Sequence, residues 1–317
     1  MSYPGAFNAS SKVGRSILGG QFFPGPILGG KVFHVFPSTN LQYNNEYFDT
    51  FPADERTTSL TKALERCKDD RGDMIVIHKG AYTQNTALTV NKGNVTIIDV
   101  GYFSDVPHSL ARITYTPATA VDLFTVTQDS VRFIGLDIVA DCSTAAGAVY
   151  ALDSAAADKC AIIGGQVRVS DATNLCVGID CDGADLVVKD WIFNASAAGN
   201  VVHVGIRVSD ARPHISGCTI TTISTSAGCR GVHLDNTATH DGHVIGNIFN
   251  MRGGTADEGI VTAAGADNNV LKDNWFHASL SDNIDDSGTG TMMVNNVEGT
   301  LIANNSATTA SDTVVQD

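Results

Sequence analysis

The sequence predicts an all-β fold: a single-stranded parallel β-helix preceded by a capping helix and an extended N-terminal arm. Three features carry that expectation. An apolar phrase keeps returning with a turn residue at its third position, a second phrase of Gly followed by an aliphatic residue keeps the same beat, and the repeats lack helical periodicity.

The first phrase runs Ile97-Ile98-Asp99-Val100, Phe133-Ile134-Gly135-Leu136, Ile162-Ile163-Gly164-Gly165, Val188-Lys189-Asp190-Trp191, Ile215-Ser216-Gly217-Cys218, Val244-Ile245-Gly246-Asn247, Leu271-Lys272-Asp273-Asn274 and Ile302-Ala303-Asn304-Asn305. Its third residue is always Asp, Gly or Asn, and successive third residues lie 36, 29, 26, 27, 29, 27 and 31 apart. Steps held within such a band describe one structural coil per repeat, with the slack taken up in loops. The second phrase, Gly178-Ile179, Gly205-Ile206, Gly231-Val232 and Gly259-Ile260, steps by 27, 26 and 28. Each coil therefore holds at least two short strands with one buried face. A helical solenoid would need apolar residues at i, i+3, i+4 and i+7 in every unit, and these units do not supply them.

Before the repeats, residues 1–30 are of another kind. Seven glycines and three prolines surround the pairs Ile17-Leu18, Phe22-Phe23 and Ile27-Leu28. Too little apolar surface and too many breakers leave this segment unable to fold alone, yet the apolar pairs set it apart from a solvated tail. It reads as an arm, with Ile17, Leu18, Phe22, Phe23, Ile27 and Leu28 as the residues that would dock on a partner or on the chain's own β-helix. Residues 31–93 follow as a lead-in strand, a capping helix and the first coil. Leu60, Ala63, Leu64 and Cys67 recur at helical spacing, with Thr58 or Ser59 available as the cap residue. A stack of coils leaves its terminal apolar layer open to water, so a helix here is expected to be its lid. The repeats proper occupy 94–317.

Composition bounds the partners. The chain of 317 residues has a formal net charge of -14, 17% charged residues and 7% aromatics. That balance argues against nucleic acid and against an anionic membrane surface, both of which attract clustered Lys and Arg. No run of about 18 apolar residues could span a bilayer. The first twenty residues carry no basic stretch followed by an apolar one, so no secretory signal is expected. Seven cysteines are an odd number. Cys176 and Cys229 share a slot two coils apart, nearly 10 Å at ~4.8 Å per coil, too far for a disulfide. Reduced thiols and assembly inside a cell are expected.

Helix, then Gly-Asp-Met-Ile-Val-Ile at 72–77, then Lys-Gly-Ala-Tyr at 79–82, then ladders of the Val-x-Ile-x-Gly-x-x-Ile kind: this order resembles the opening of pectate-lyase-like right-handed parallel β-helix proteins. The lead-in Ser-Tyr-Pro-Gly at 2–5 and the Ala-, Thr- and Ser-rich coils resemble more specifically the tailed-bacteriophage virion members of that group. The resemblance covers roughly 55–306. It implies a right-handed coil and a structural virion protein, a homotrimer assembled in the host cytoplasm. Such a protein decorates or stabilises the capsid exterior through its arm, with the major capsid protein as partner and no cofactor. The same scaffold also carries chemistry, so a tailspike-type or secreted polysaccharide lyase or glycosidase is the alternative.

Catalysis would need two carboxyl groups about 5 to 10 Å apart across a sugar. The best acidic cluster is Asp282, Asp285 and Asp286, in what reads as a turn between the last two coils. Polygalacturonase-like members carry Gly-His-Gly and then Arg-x-Lys after an Asp-Asp pair, and neither follows Asp286. His240-Asp241-Gly242-His243 offers metal-ligand types, but in a turn that spacing fixes no shared direction; no metal is expected. His214 and His243 should stack on successive rungs, as should Asp180, Arg207 and His233. Trp191 and Trp275 fall at different slots and read as turn or partly buried residues. Cys218, Asn247, Asn274 and Asn305 share one slot, where amides one coil apart can form an axial hydrogen-bonded ladder.

Overall fold

The computed structural model describes residues 29–38, 49, 51–99, 101, 111–116, 122–141, 147–153, 157–170, 175–196, 202–223, 228–235, 238–252, 257–277 and 282–299, with the backbone alone at 170, 196, 252, 282, 298 and 299. It is a right-handed parallel β-helix. Each coil supplies three strands, one more than the two the repeats make visible, and these stack into three parallel sheets of 11, 9 and 8 strands.

A typical coil shows why the chain turns where it does. Strand β12 (Ala161–Ile163) belongs to the first sheet, β13 (Gln166–Ser170) to the second and β14 (Cys176–Cys181) to the third. The corner between the first two turns on a residue in the left-handed region: φ is 70° at Gly135, 61° at Gly164 (followed by a second, 78° at Gly165), 52° at Asp190, 65° at Gly217 and Gly246, 54° at Asp273 and 52° at Asn295. Gly, Asp and Asn tolerate that conformation at little cost, which explains the third-residue rule of the repeat. A second left-handed position lies five residues earlier in each coil, at Ser130, Lys159, Asp185, Arg212, Asp241 and Asn268.

One residue in two points inward and builds the core. The middle residues of the first-sheet strands, Ile97, Phe133, Ile162, Val188, Ile215, Val244 and Leu271, are all buried and lie in register. Val167, Phe193, Ile220, Phe249 and Phe276 form the matching column of the second sheet. The glycines of the second phrase face that column. A Cβ on Gly178 would lie 2.6 Å from the Trp191 ring and 2.8 Å from that of Phe193; on Gly231 and Gly259 it would collide with Phe249 and Phe276. Gly stands there because the opposite wall's side chain, an aromatic ring or at Gly205 that of Ile220, and the carbonyl of the adjacent coil leave no room for a Cβ.

At the N-terminal end the helix α1 (Leu60–Arg66) starts at Ser59, whose hydroxyl accepts from the Lys62 N–H at 3.3 Å. Leu60, Ala63, Leu64 and Cys67 are buried in the same cluster as Phe33, Val35 and Val90, so the helix closes the first rungs as a lid.

Two expectations need correction. Among the described residues the last first-sheet strand is Met292–Val294, paired with Val270–Lys272, and the left-handed corner that follows Asp273 is Asn295 rather than Asn304. The coil from Asp273 to Asn295 is 22 residues long; residues 302–306 lie outside the described ones. The acidic segment is also not a turn. Asp282–Asp286 is β26, the last rung of the third sheet, paired with Glu258–Thr262.

Candidate functional site

Asp285 and Asp286 are neighbours on a strand, and neighbouring strand residues face opposite ways. Asp286 continues the inward slot of Leu152, Cys181, Val208, Leu234 and Thr262. Its Oδ1 accepts from the Thr262 hydroxyl, from the Gly288 N–H at 3.1 Å and from the Thr291 hydroxyl at 3.1 Å. Asp285 continues the outward slot of Asp180, Arg207, His233 and Val261. The two carboxyls therefore do not form a pair across a shared groove, and Asp286 serves the chain's own turn. Of Asp282 the structure gives the backbone, in register with Glu258 and Arg230.

Above this segment the outer face of the third sheet carries ion pairs that cross from coil to coil. Arg207 grips Asp180 with both arms of its guanidinium, Nε at 2.7 Å from Oδ1 and the second nitrogen on Oδ2. Arg230 Nε donates to Glu258 at 3.2 Å and lies against the His233 ring. Burial, then the neighbouring Arg230, hold the His233 imidazole below its ordinary value. His214 and His243 do stack one rung apart, ring centroids 5.8 Å, while His240 turns to Asp241 at 2.8 Å. Among the described residues no group of three or more His, Cys, Asp or Glu is placed to hold a metal.

Sequence reasoning missed the cluster with the most perturbed carboxyl. Asp137 is buried and accepts from Arg112 Nε at 3.1 Å and from Arg168 at 3.0 and 3.2 Å, holding two half-exposed guanidiniums from the coils on either side. Asp99, nearby, has its carboxyl pushed up to about 6, first by burial. A carboxyl that exchanges a proton near neutrality is a common mark of acid-base chemistry. Here, however, Asp99 is fully buried and its two oxygens accept the Gly101 and Ala111 N–H groups at 2.7 and 2.8 Å, closing the corner. The signal for the ion cluster is a register one, Arg112 opposite Asp137 in adjacent coils, which becomes readable only once the strand pairing is known.

Trp191 lies in the corner between two strands, just after the left-handed Asp190, as a turn residue should, but it is completely inside rather than partly buried, stacked on Phe193 with centroids 5.6 Å apart. Trp275 is half exposed on the outer face of the second sheet. The six cysteines among the described residues are all buried. Cys176 and Cys229 are separated by His203, whose Nδ1 accepts from the Cys176 N–H at 3.4 Å and whose own N–H meets the Cys229 sulfur at 3.3 Å. The arm residues Ile17, Leu18, Phe22, Phe23, Ile27 and Leu28 lie outside the described residues.

No family model matches the chain, and no curated protein does. Among solved structures it is similar to one titled "Geobacillus virus E2 - ORF18", at 12% identity and a TM-score of 0.31, over 76% of this chain and 56% of that one. A second, a "PL6 alginate lyase complex with trisaccharide", matches at 14% identity and a TM-score of 0.28, over 79% of this chain and 60% of that one. The chain thus spans a little over half the length of the solved structures it matches.

Proposed function

We propose that the chain is a structural protein of a bacteriophage particle, a stiff β-helical rod that decorates or stabilises the capsid exterior and is held there by its N-terminal arm. The observation that supports a rod is where the polar side chains go. Arg112 and Arg168 with Asp137, Arg207 with Asp180, Arg212 with Asp185 and Arg230 with Glu258 all join one coil to the next. So do the buried amides of Asn247, Asn274 and Asn296. Polar groups committed along the axis stiffen the stack against bending and slipping between coils. The arm is then the element available for attachment, because burying Ile17, Leu18, Phe22, Phe23, Ile27 and Leu28 against the major capsid protein recovers apolar surface that the segment cannot bury by itself.

Deletion of residues 1–30 tests this. The truncated protein is expected to keep the wild-type melting temperature within a few degrees, since the coil stack and its helical lid are intact, and to stop co-sedimenting with phage capsids. Electron microscopy of decorated particles should place the rod on the head. Particles that bind the truncated and full-length proteins equally would overturn the arm's role. Release of reducing ends or unsaturated sugars from bacterial surface glycans by the purified protein would replace the structural reading with the enzymatic one.

A further inference from the structure

Eight large hydrophobic side chains are exposed among the described residues, and five of them stand on the outer face of the second sheet: Ile192, Ile223, Ile248, Trp275 and Val297. Strand register puts Ile192, Thr219, Ile248, Trp275 and Val297 in one column, one residue per coil. At about 4.8 Å per coil that column is roughly 20 Å long. Beside it run Asn194, Thr221, Asn250 and His277, and the Trp275 ring stacks on His277 with centroids 4.8 Å apart and planes 18° from parallel.

Charge is distributed in the opposite sense. Over these coils no described side chain on this face is a carboxylate, Lys or Arg, and register places one charged residue, Arg252, at its edge opposite Ile223, whereas the first sheet and its corners carry Lys189, Asp190, Lys272 and Asp273. The third sheet carries Arg207, Arg230, Glu258 and Asp285. Earlier in the second sheet the same column holds Arg112 and Asp137, so the apolar stretch begins where the ion cluster ends.

We infer that this apolar face is where copies of the chain meet side by side. Each copy carries a net charge of -14, so two copies repel across most of their surfaces and approach at least cost where each brings the fewest charges. A cationic partner would be drawn to the acidic faces instead. A second copy meets the requirement by construction, because it presents the same neutral apolar stripe. The stripe runs along the rod axis, which suits copies packed with parallel axes around a cyclic symmetry axis, all arms at one end. A count of three comes from the family resemblance alone; the choice of face does not rest on it.

Sedimentation velocity and light scattering on the full-length protein, up to about 100 μM, test it. Wild type is expected to sediment as an oligomer. Trp275→Glu and Ile248→Lys should each weaken association roughly tenfold or more, as loss of a central apolar anchor does, with melting temperatures near wild type because both side chains are exposed. Met292→Glu, which alters an equally exposed hydrophobic residue on the first sheet, should leave association unchanged. Added salt should strengthen assembly, since it screens like-charged chains and leaves apolar contact intact; an interface of ion pairs would respond the other way. A wild-type monomer at every concentration, or an oligomer that survives Trp275→Glu, overturns the inference. Capsid binding is read separately: a monomer that still binds particles sinks this face and spares the arm, and an oligomer that fails to bind does the reverse.

Discussion

The residue that follows the left-handed corner is solved in two ways along the rod. In the earlier coils the slot holds Leu136, Trp191 and Cys218, all buried. In the later coils it holds Asn247, Asn274 and Asn296, equally buried. Trp191 fills the slot by volume. Its ring occupies the space that a side chain at Gly178 would need. The asparagines fill it by hydrogen bonding: Asn274 Oδ1 accepts the Asn247 N–H at 3.1 Å and its side-chain amide at 3.0 Å, and Asn296 does the same for Asn274 at 3.1 and 3.0 Å. Each amide nitrogen also donates to a first-sheet carbonyl of the preceding coil: Asn247 to Ile215, Asn274 to Val244, Asn296 to Leu271. The comparison teaches that the earlier coils meet this corner by volume, with Gly165 the exception that brings no side chain, and the later ones by answering its N–H groups with amides. A buried ladder can take the place of an apolar stack provided every member is satisfied.

Trp191→Ala should have the largest effect. Nothing else can enter the slot between Gly178 and Phe193, so the cavity persists, and a loss of about 4 kcal/mol is expected from the range for buried aromatic truncations. Urea unfolding would show it as a lower midpoint. A loss under about 1 kcal/mol would mean that the coil collapses around the gap and that volume is not what the slot requires.

Asn274→Ala should follow, at about 3 kcal/mol. It removes the acceptor of two Asn247 donors and the donor to Val244 in a buried place, and the penalty is the desolvation of those orphaned groups rather than lost volume. Amide hydrogen exchange at Asn247 and Cys218 should accelerate while the coils before Trp191 keep their protection, because each amide serves the coil before it. Uniform acceleration along the rod would indicate instead that the stack unfolds as one unit.

What was legible in the sequence was whatever depends on alternation. Inward Ile, Val and Phe and the Gly, Asp or Asn corner recur visibly because every coil needs them, and the Asn247 and Asn274 ladder could be read from their shared slot. What was not legible depends on pairing. The last coil was placed nine residues late, at Asn304 instead of Asn295, because Met292-Met293-Val294 lacks the Ile-rich signature and Asp282–Asp286 has a turn's composition. It is a strand because Ile284 continues the inward column of Ile206, Val232 and Ile260. Burial of Trp191 likewise depends on Gly178, some thirteen residues before it in the chain and on the opposite wall. The candidate acids failed for the same reason: adjacency in sequence put Asp285 and Asp286 together, and the strand sent them to opposite faces.

Cys218 sits at the boundary between the two solutions and gives the finest test. Its N–H already donates to Asn247 Oδ1 at 2.9 Å, and its sulfur lies 3.5 Å from the Ser216 carbonyl and 3.9 Å from that of Val188. That carbonyl stands to Cys218 as Ile215 stands to Asn247. Burial pushes the thiol up to about 12, so it remains a weak neutral donor. In Cys218→Asn the new amide oxygen would accept the Trp191 backbone N–H, as Asn247 Oδ1 accepts that of Cys218, and the new amide nitrogen would donate to Val188 and to Asn247 Oδ1. Side-chain volumes are close, so no packing term should oppose the exchange. The ladder should lengthen by one rung, with a gain of about 1 kcal/mol from stronger hydrogen bonds in a dry place. A rise in the urea midpoint with an unchanged slope would show that the amide solution can be propagated toward the apolar one. A fall would mean that Trp191, packed directly against this slot, sets where the ladder must stop.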